Sequence, residues 1–183
     1  ITPHVIYLSA GVHRLTVTDS NACSITDSIT IHSPNDLTLH SSITDVICYN
    51  QNNGQIDVFV LGGTMPFQYN WSHGDITPTI SNLYAGQYSL TITDNNNCLL
   101  NDLFIVDQPD SLVLNLNYSE NLCYNQSGYG WANVEVSGGT SPFNYIWSNG
   151  SVYDSIYNLN DGGYNLFVRD ANGCTSSSQF SVN

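Results

Sequence analysis

The residues with the most reactive side chains are five cysteines, Cys23, Cys48, Cys98, Cys123 and Cys174, and no two of them form a Cys-x-x-Cys pair that would suggest zinc or dithiol redox chemistry. Each late cysteine lies four residues after an aspartate and two after an asparagine: Asp19, Asp94 and Asp170 precede Cys23, Cys98 and Cys174. Asp94 with Asn96, and Asp170 with Asn172, offer oxygen ligands of the kind Ca²⁺ takes, and calcium is the one cofactor these residues raise. The same Asp-x-Asn pattern also serves as a hairpin turn in which the carboxylate accepts backbone N–H groups. Catalysis finds no constellation. The histidines at 4, 13, 32, 40 and 73 do not recur from copy to copy, and Glu120 and Glu135 have no matched acid–base partner. A non-enzymatic chain is the expectation.

Charge narrows the partners. Fifteen acidic residues stand against two basic ones, Arg14 and Arg169, with no lysine and a net charge of −13. Nucleic acid is disfavoured, because binding it needs clustered Lys or Arg to displace counterions. No apolar run approaches the length of a membrane span. An acidic surface rich in Asn, Ser and Thr suits divalent cations or neutral polysaccharide better.

The elements that must position these groups repeat. The segment GGTMPFQYNWSHG from Gly62 returns as GGTSPFNYIWSNG from Gly138, and the late cysteines recur at steps of 75 and 76 residues. Pro34 and Pro109 mark the joints. The chain divides into residues 1–34, the back half of a first repeat, 35–109, a complete second, and 110–183, an essentially complete third. Ile1 matches Ile76 in mid-repeat, so the chain reads as a window from a longer array.

Within a repeat, period-two alternation marks strands and helical periodicity is absent. Tyr88, Leu90 and Ile92 match Tyr164, Leu166 and Val168; Ile56, Val58 and Val60 match Ala132, Val134 and Val136. The spacing predicts roughly seven short strands per repeat of about 75 residues, an all-β, Ig-like or fibronectin-like sandwich. Trp71 and Trp147 share the inward parity of Phe67 and Phe143 and are expected in the core. Tyr88 and Tyr164 read as tyrosine corners, and His13, in their place in the first copy, must alter or lose that hydrogen bond. Trp131 replaces Gln55 at an outward position, and with Tyr129 it forms the best candidate contact patch.

The order Cys, Asn-rich turn, Gly-Gly-Thr-x-Pro-Phe-x-Tyr-x-Trp-Ser-x-Gly, Asn-Leu-x-x-Gly-x-Tyr, Thr-Asp-x-Asn-x-Cys, x-Pro resembles the SprB-type repeat. Such repeats occur in very large surface adhesins of gliding Bacteroidetes and in related secreted proteins. Ala22 and Asn97 depart from the glycine common at that turn, which Gly173 retains. The resemblance implies export by the type IX route, an extracellular location and, for some members, gliding motility.

Outside the cell, cysteines pair. One arrangement joins Cys48 to Cys98 and Cys123 to Cys174 within repeats and leaves Cys23 without a partner; another bridges repeats, for example Cys48 to Cys174; free buried thiols are a third. Sandwich topology weighs against the first, since the early and late cysteines lie near opposite poles and a disulfide needs Cα atoms within about 7 Å. With no lysine, Lys–Asn isopeptide bonds cannot stiffen the array. The expected role is a stiff spacer in an adhesin or extracellular filament whose partners are neighbouring repeats and other copies. The alternatives are a carbohydrate-binding module contacting surface polysaccharide, or a subunit of a multi-chain polymerising fibre.

Overall fold

Alternating apolar residues and glycine-rich turns produce strands throughout, and the computed structural model, which describes residues 6–119 and 129–182, contains no helix among them. The first repeat contributes one hairpin, β1 (Gly11–Thr18) with β2 (Ser24–Ile31). The second contributes β3 (Thr38–Thr44), β4 (Gly54–Leu61), β5 (Gln68–Trp71), β6 (Thr79–Leu83), β7 (Gly86–Thr93) and β8 (Leu99–Val106). The third follows with β9 (Val113–Ser119), β10 (Gly130–Ser137), β11 (Asn144–Trp147), β12 (Ser155–Leu159), β13 (Gly162–Arg169) and β14 (Thr175–Val182).

Each later repeat pairs two three-stranded antiparallel sheets, β3-β4-β6 with β5-β7-β8 and β9-β10-β12 with β11-β13-β14. That is the Ig-like sandwich, with six strands per repeat among the described residues where the spacing predicted about seven. Between β5 and β6 the chain turns tightly: Trp71 N–H donates to Asp75 O at 3.0 Å, and Gly74 N–H donates to Trp71 O at 2.9 Å.

The inward stripes meet between the sheets. Ile56, Leu90, Ile92 and Trp71 belong to one buried cluster, and Ala132, Leu166, Val168 and Trp147 to another. Burying each such side chain contributes about 1.5–3 kcal/mol. Each tryptophan also satisfies its polar end, Trp71 Nε1 donating to Thr77 O at 2.9 Å and Trp147 Nε1 to Tyr153 O at 2.7 Å. The corners form as well: Tyr88 Oη donates to Tyr84 O at 2.9 Å and Tyr164 Oη to Asn160 O at 3.1 Å. In the hairpin, His13 Nε2 lies 2.7 Å from Ser9 O, so the bond is altered in chemistry and kept in position.

Candidate inter-repeat joint

Two motifs that the sequence presents 30 residues apart are joined at one pole of each sandwich. In the Gly-Gly-Thr turn both glycines take positive φ, 74° and 62° at Gly62 and Gly63, 68° and 63° at Gly138 and Gly139. A Cβ at Gly62 would run into the Asp36 carbonyl, and one at Gly138 into the Ser111 carbonyl. This close approach brings the next residue, the threonine, against the aspartate of the late turn. Thr64 N–H donates to Asp94 Oδ2 at 3.0 Å, and Thr140 N–H to Asp170 Oδ2 at 2.9 Å. The other oxygen of Asp94 accepts from Asn96 N–H and Cys98 N–H, each at 2.8 Å.

Both aspartates are buried. For Asp94, burial pushes the carboxyl up, but the N–H donors of Cys98, Thr64 and Asn96 together outweigh it and hold the group below its ordinary 3.8. Positive dipole ends converge on these carboxylates, which is a turn cap and a poor setting for a cation. Asn96 and Asn172 turn their amide nitrogens to Thr64 Oγ1 and Thr140 Oγ1, at 2.9 and 3.1 Å, so in this structure the Asp-x-Asn pairs act as hairpin turns. Among the described residues no three His, Cys, Asp or Glu side chains gather as a metal site. The same turn places Ala22, Asn97 and Gly173 at positive φ, 66°, 64° and 87°, so the substituted copies keep the glycine-type backbone.

The disulfide crosses between repeats. Cys48, in the loop between β3 and β4, is bonded to Cys174 in the β13–β14 turn, with Cα atoms 5.6 Å apart. The within-repeat pairing is thereby overturned, for the reason that loop and turn occupy opposite poles of one sandwich and meet only across a joint. Cys23 and Cys98 are exposed free thiols, and Cys123 lies outside the described residues. Asn172 Nδ2 also reaches across, donating to Ile47 O at 3.3 Å.

The linker is held too. Val46 N–H donates to Asp107 O at 2.8 Å, Asp107 N–H to Asp45 Oδ1 at 2.9 Å, and Asn50 N–H to Gln108 Oε1 at 2.7 Å. The β3–β4 loop thus grips the connecting segment on one side and the next repeat on the other. Sequence reasoning reached the cysteines, the Gly-Gly-Thr turn and the Asp-x-Asn turn, and missed Asp45, Val46, Ile47, Asn50, Asp107 and Gln108, whose roles rest on single backbone or side-chain contacts that no repeated motif announces.

The predicted contact patch stands apart from the joint. Trp131 is 38% exposed, and it pairs across the sheet with exposed Tyr157; Tyr129 is exposed beside it. Tyr157 was missed because an outward tyrosine in β12 becomes part of the patch only through strand register.

A family model for the SprB repeat matches residues 40–76, from β3 through β5 and its following turn. Over that segment the chain is similar to the SprB repeat. The matched segment holds the Cys48 loop, which closes the joint, and the Gly-Gly-Thr turn whose second copy at 138–140 lies on the joint's other side. No protein of curated function matches the sequence. Among solved structures, the N-terminal eight Ig domains of Down syndrome cell adhesion molecule align with TM-score 0.48 and 10% identity over 95% of this chain and 28% of that one. A C-terminal 282-residue fragment of intimin, solved with the intimin-binding domain of its translocated receptor, aligns at 0.40 and 13% identity, over 83% of this chain and 65% of that fragment. The amphioxus IgVJ-C2 molecule aligns at 0.32 and 14%, over 83% and 98%. The chain therefore spans less than two thirds of the length of the first two. No helix among the described residues is long and apolar enough to cross a membrane.

Proposed function

We propose that this chain is a non-enzymatic, extracellular repeat segment of a bacterial surface adhesin, a stiff spacer that projects or transmits force. The observation that carries the reading is the clamped joint: one disulfide, one cross-repeat hydrogen bond and a three-bond grip on the linker leave little freedom between SprB-type sandwiches. Type IX export and service in gliding are the finer expectations that SprB repeats carry with them. Small-angle scattering of the chain, oxidised and reduced, tests the stiffness. A single narrow distance distribution that broadens on reduction supports the spacer. Equally broad distributions in both states overturn it. Antibody labelling of intact producing cells tests the location, since an adhesin must be reachable without permeabilisation.

A second reading rests on the Trp131–Tyr157 pair with Tyr129, an aromatic surface of the kind on which sugar rings stack. Its counterparts in the second repeat are Gln55, Ser81 and Asn53, so any glycan contact belongs to one repeat and is not a property of the array. Glycan-array binding that Trp131→Ala abolishes would establish it.

A further inference from the structure

The joint at Cys174 encloses a cavity of about 240 Å³ whose floor includes Pro109, Leu112, Gly139, Asp170 and Cys174. Its cover is the β3–β4 loop, through Cys48, Tyr49 and Gln51. One repeat earlier a cavity of about 260 Å³ has the matching floor: Pro34, Leu37, Gly63, Asp94 and Cys98. Among the described residues no loop covers it, and Cys98 is an exposed free thiol.

The uncovered socket is already in its bound arrangement. Thr64 N–H is on Asp94 as Thr140 N–H is on Asp170, and Asn95 N–H donates to Thr64 O as Ala171 N–H does to Thr140 O, both at 2.9 Å. Asn96 Nδ2 is fixed on Thr64 Oγ1 in the way Asn172 Nδ2 is fixed on Thr140 Oγ1. At the closed joint the same Asn172 nitrogen also donates to the carbonyl of Ile47, just before the bridged cysteine. Asn96 presents the equivalent donor to an incoming loop.

We propose that the Pro34–Cys98 socket is a docking and disulfide-forming site for the Cys-Tyr-Asn-Gln loop of another SprB-type repeat. The occupant is defined by the closed joint, where Cys48, Tyr49 and Gln51 line the matching space and Cys48 is bonded to Cys174, and the Cys-Tyr-Asn-Gln sequence recurs at 123–126. The loop carbonyl accepts from Asn96, its tyrosine and glutamine cover the floor, and its thiol reaches Cys98. Joining the two thiols releases two protons and two electrons, which a disulfide oxidant accepts by exchange as it is reduced to two thiols. Loss of hydration at the turn, and then the Asp94 carboxylate, push the Cys98 thiol up, so it is slow toward disulfides that do not dock. The inference rests on the joint, and its test reads chemistry at one sulfur, so it can fail while the adhesin reading stands.

The experiment uses the full chain carrying Cys23→Ser and a nine-residue peptide of sequence 46–54, its cysteine activated as the mixed disulfide with thionitrobenzoate. Attack by the Cys98 thiolate forms the protein–peptide disulfide and expels thionitrobenzoate, whose colour gives the rate. Docking raises the local concentration of the activated sulfur, so the native-sequence peptide should react at least about tenfold faster than a scrambled one. Peptide mapping should place it on Cys98, and Asn96→Ala should remove most of the preference for the native-sequence peptide. Equal rates for the two peptides, or attachment at Cys123 in place of Cys98, would overturn the proposal.

Discussion

Hairpins β1–β2 and β7–β8 are the same piece of sequence design in two settings. Both pair eight residues with eight, in matching register around an Asp-capped turn. Yet Leu15 is 61% exposed where its counterpart Leu90 is 1%, and Ile29 is 63% exposed where Phe104 is 3%. The difference is the opposing sheet: β7–β8 has β3-β4-β6 across from it, and β1–β2 has none among the described residues. Pairing and register are written locally, by alternation and turn chemistry. Burial is not, and it is burial that stabilises, since an isolated two-stranded hairpin is marginal in water.

The largest expected effect breaks that comparison at the core. Trp71→Ala removes the ring that packs 5.4 Å from Phe104 and should cost about 3–5 kcal/mol, read from urea unfolding. Leu15→Ala, at the hairpin's equivalent of Leu90, should stay within about 0.5 kcal/mol. Comparable losses from both would mean that β1–β2 has a buried face after all.

Removing the bridge comes next. The double change Cys48→Ser and Cys174→Ser should cost about 2–4 kcal/mol, because the 126-residue separation it closes is long. Cys98→Ser, which leaves the bridge intact, should cost close to nothing in the same measurement.

The corners give a smaller contrast. Tyr88→Phe removes the bond to Tyr84 O and should cost about 1 kcal/mol in unfolding free energy. His13→Phe removes the matching bond to Ser9 O, and amide exchange across β1–β2 should be fast before and after the change. The last contrast is electrostatic and shows itself in acid. Asp94 has a native pKa below 3.8, so its contribution is complete above that value and falls away as pH drops through the lowered one. An acid titration of thermal stability should therefore flatten below pH 4 in Asp94→Asn relative to the parent chain.

Much of this architecture was legible in the residues. Alternation placed β4, β7, β10 and β13, and parity put Trp71 and Trp147 inside and Trp131 outside. What escaped was contact between distant segments. The Gly-Gly-Thr turn and the Asp-x-Asn turn read as separate punctuation, and nothing in their spacing shows that Asp94 caps Thr64. Sequence period likewise favoured pairing cysteines inside one repeat, whereas the bridge depends on which poles face each other when two sandwiches stack.

The sulfur pair also decides where tension runs when the chain is pulled from its ends. With Cys48 bonded to Cys174, the pull passes along β3, through the bridge and into β14, and β4 through β13 fall outside the loaded path. Most of both sandwiches is thus sheltered from stretching as long as the bond is oxidised. Reduction would put roughly 40 nm of chain back into the line of pull, so redox state sets how far this segment can lengthen before it lets go.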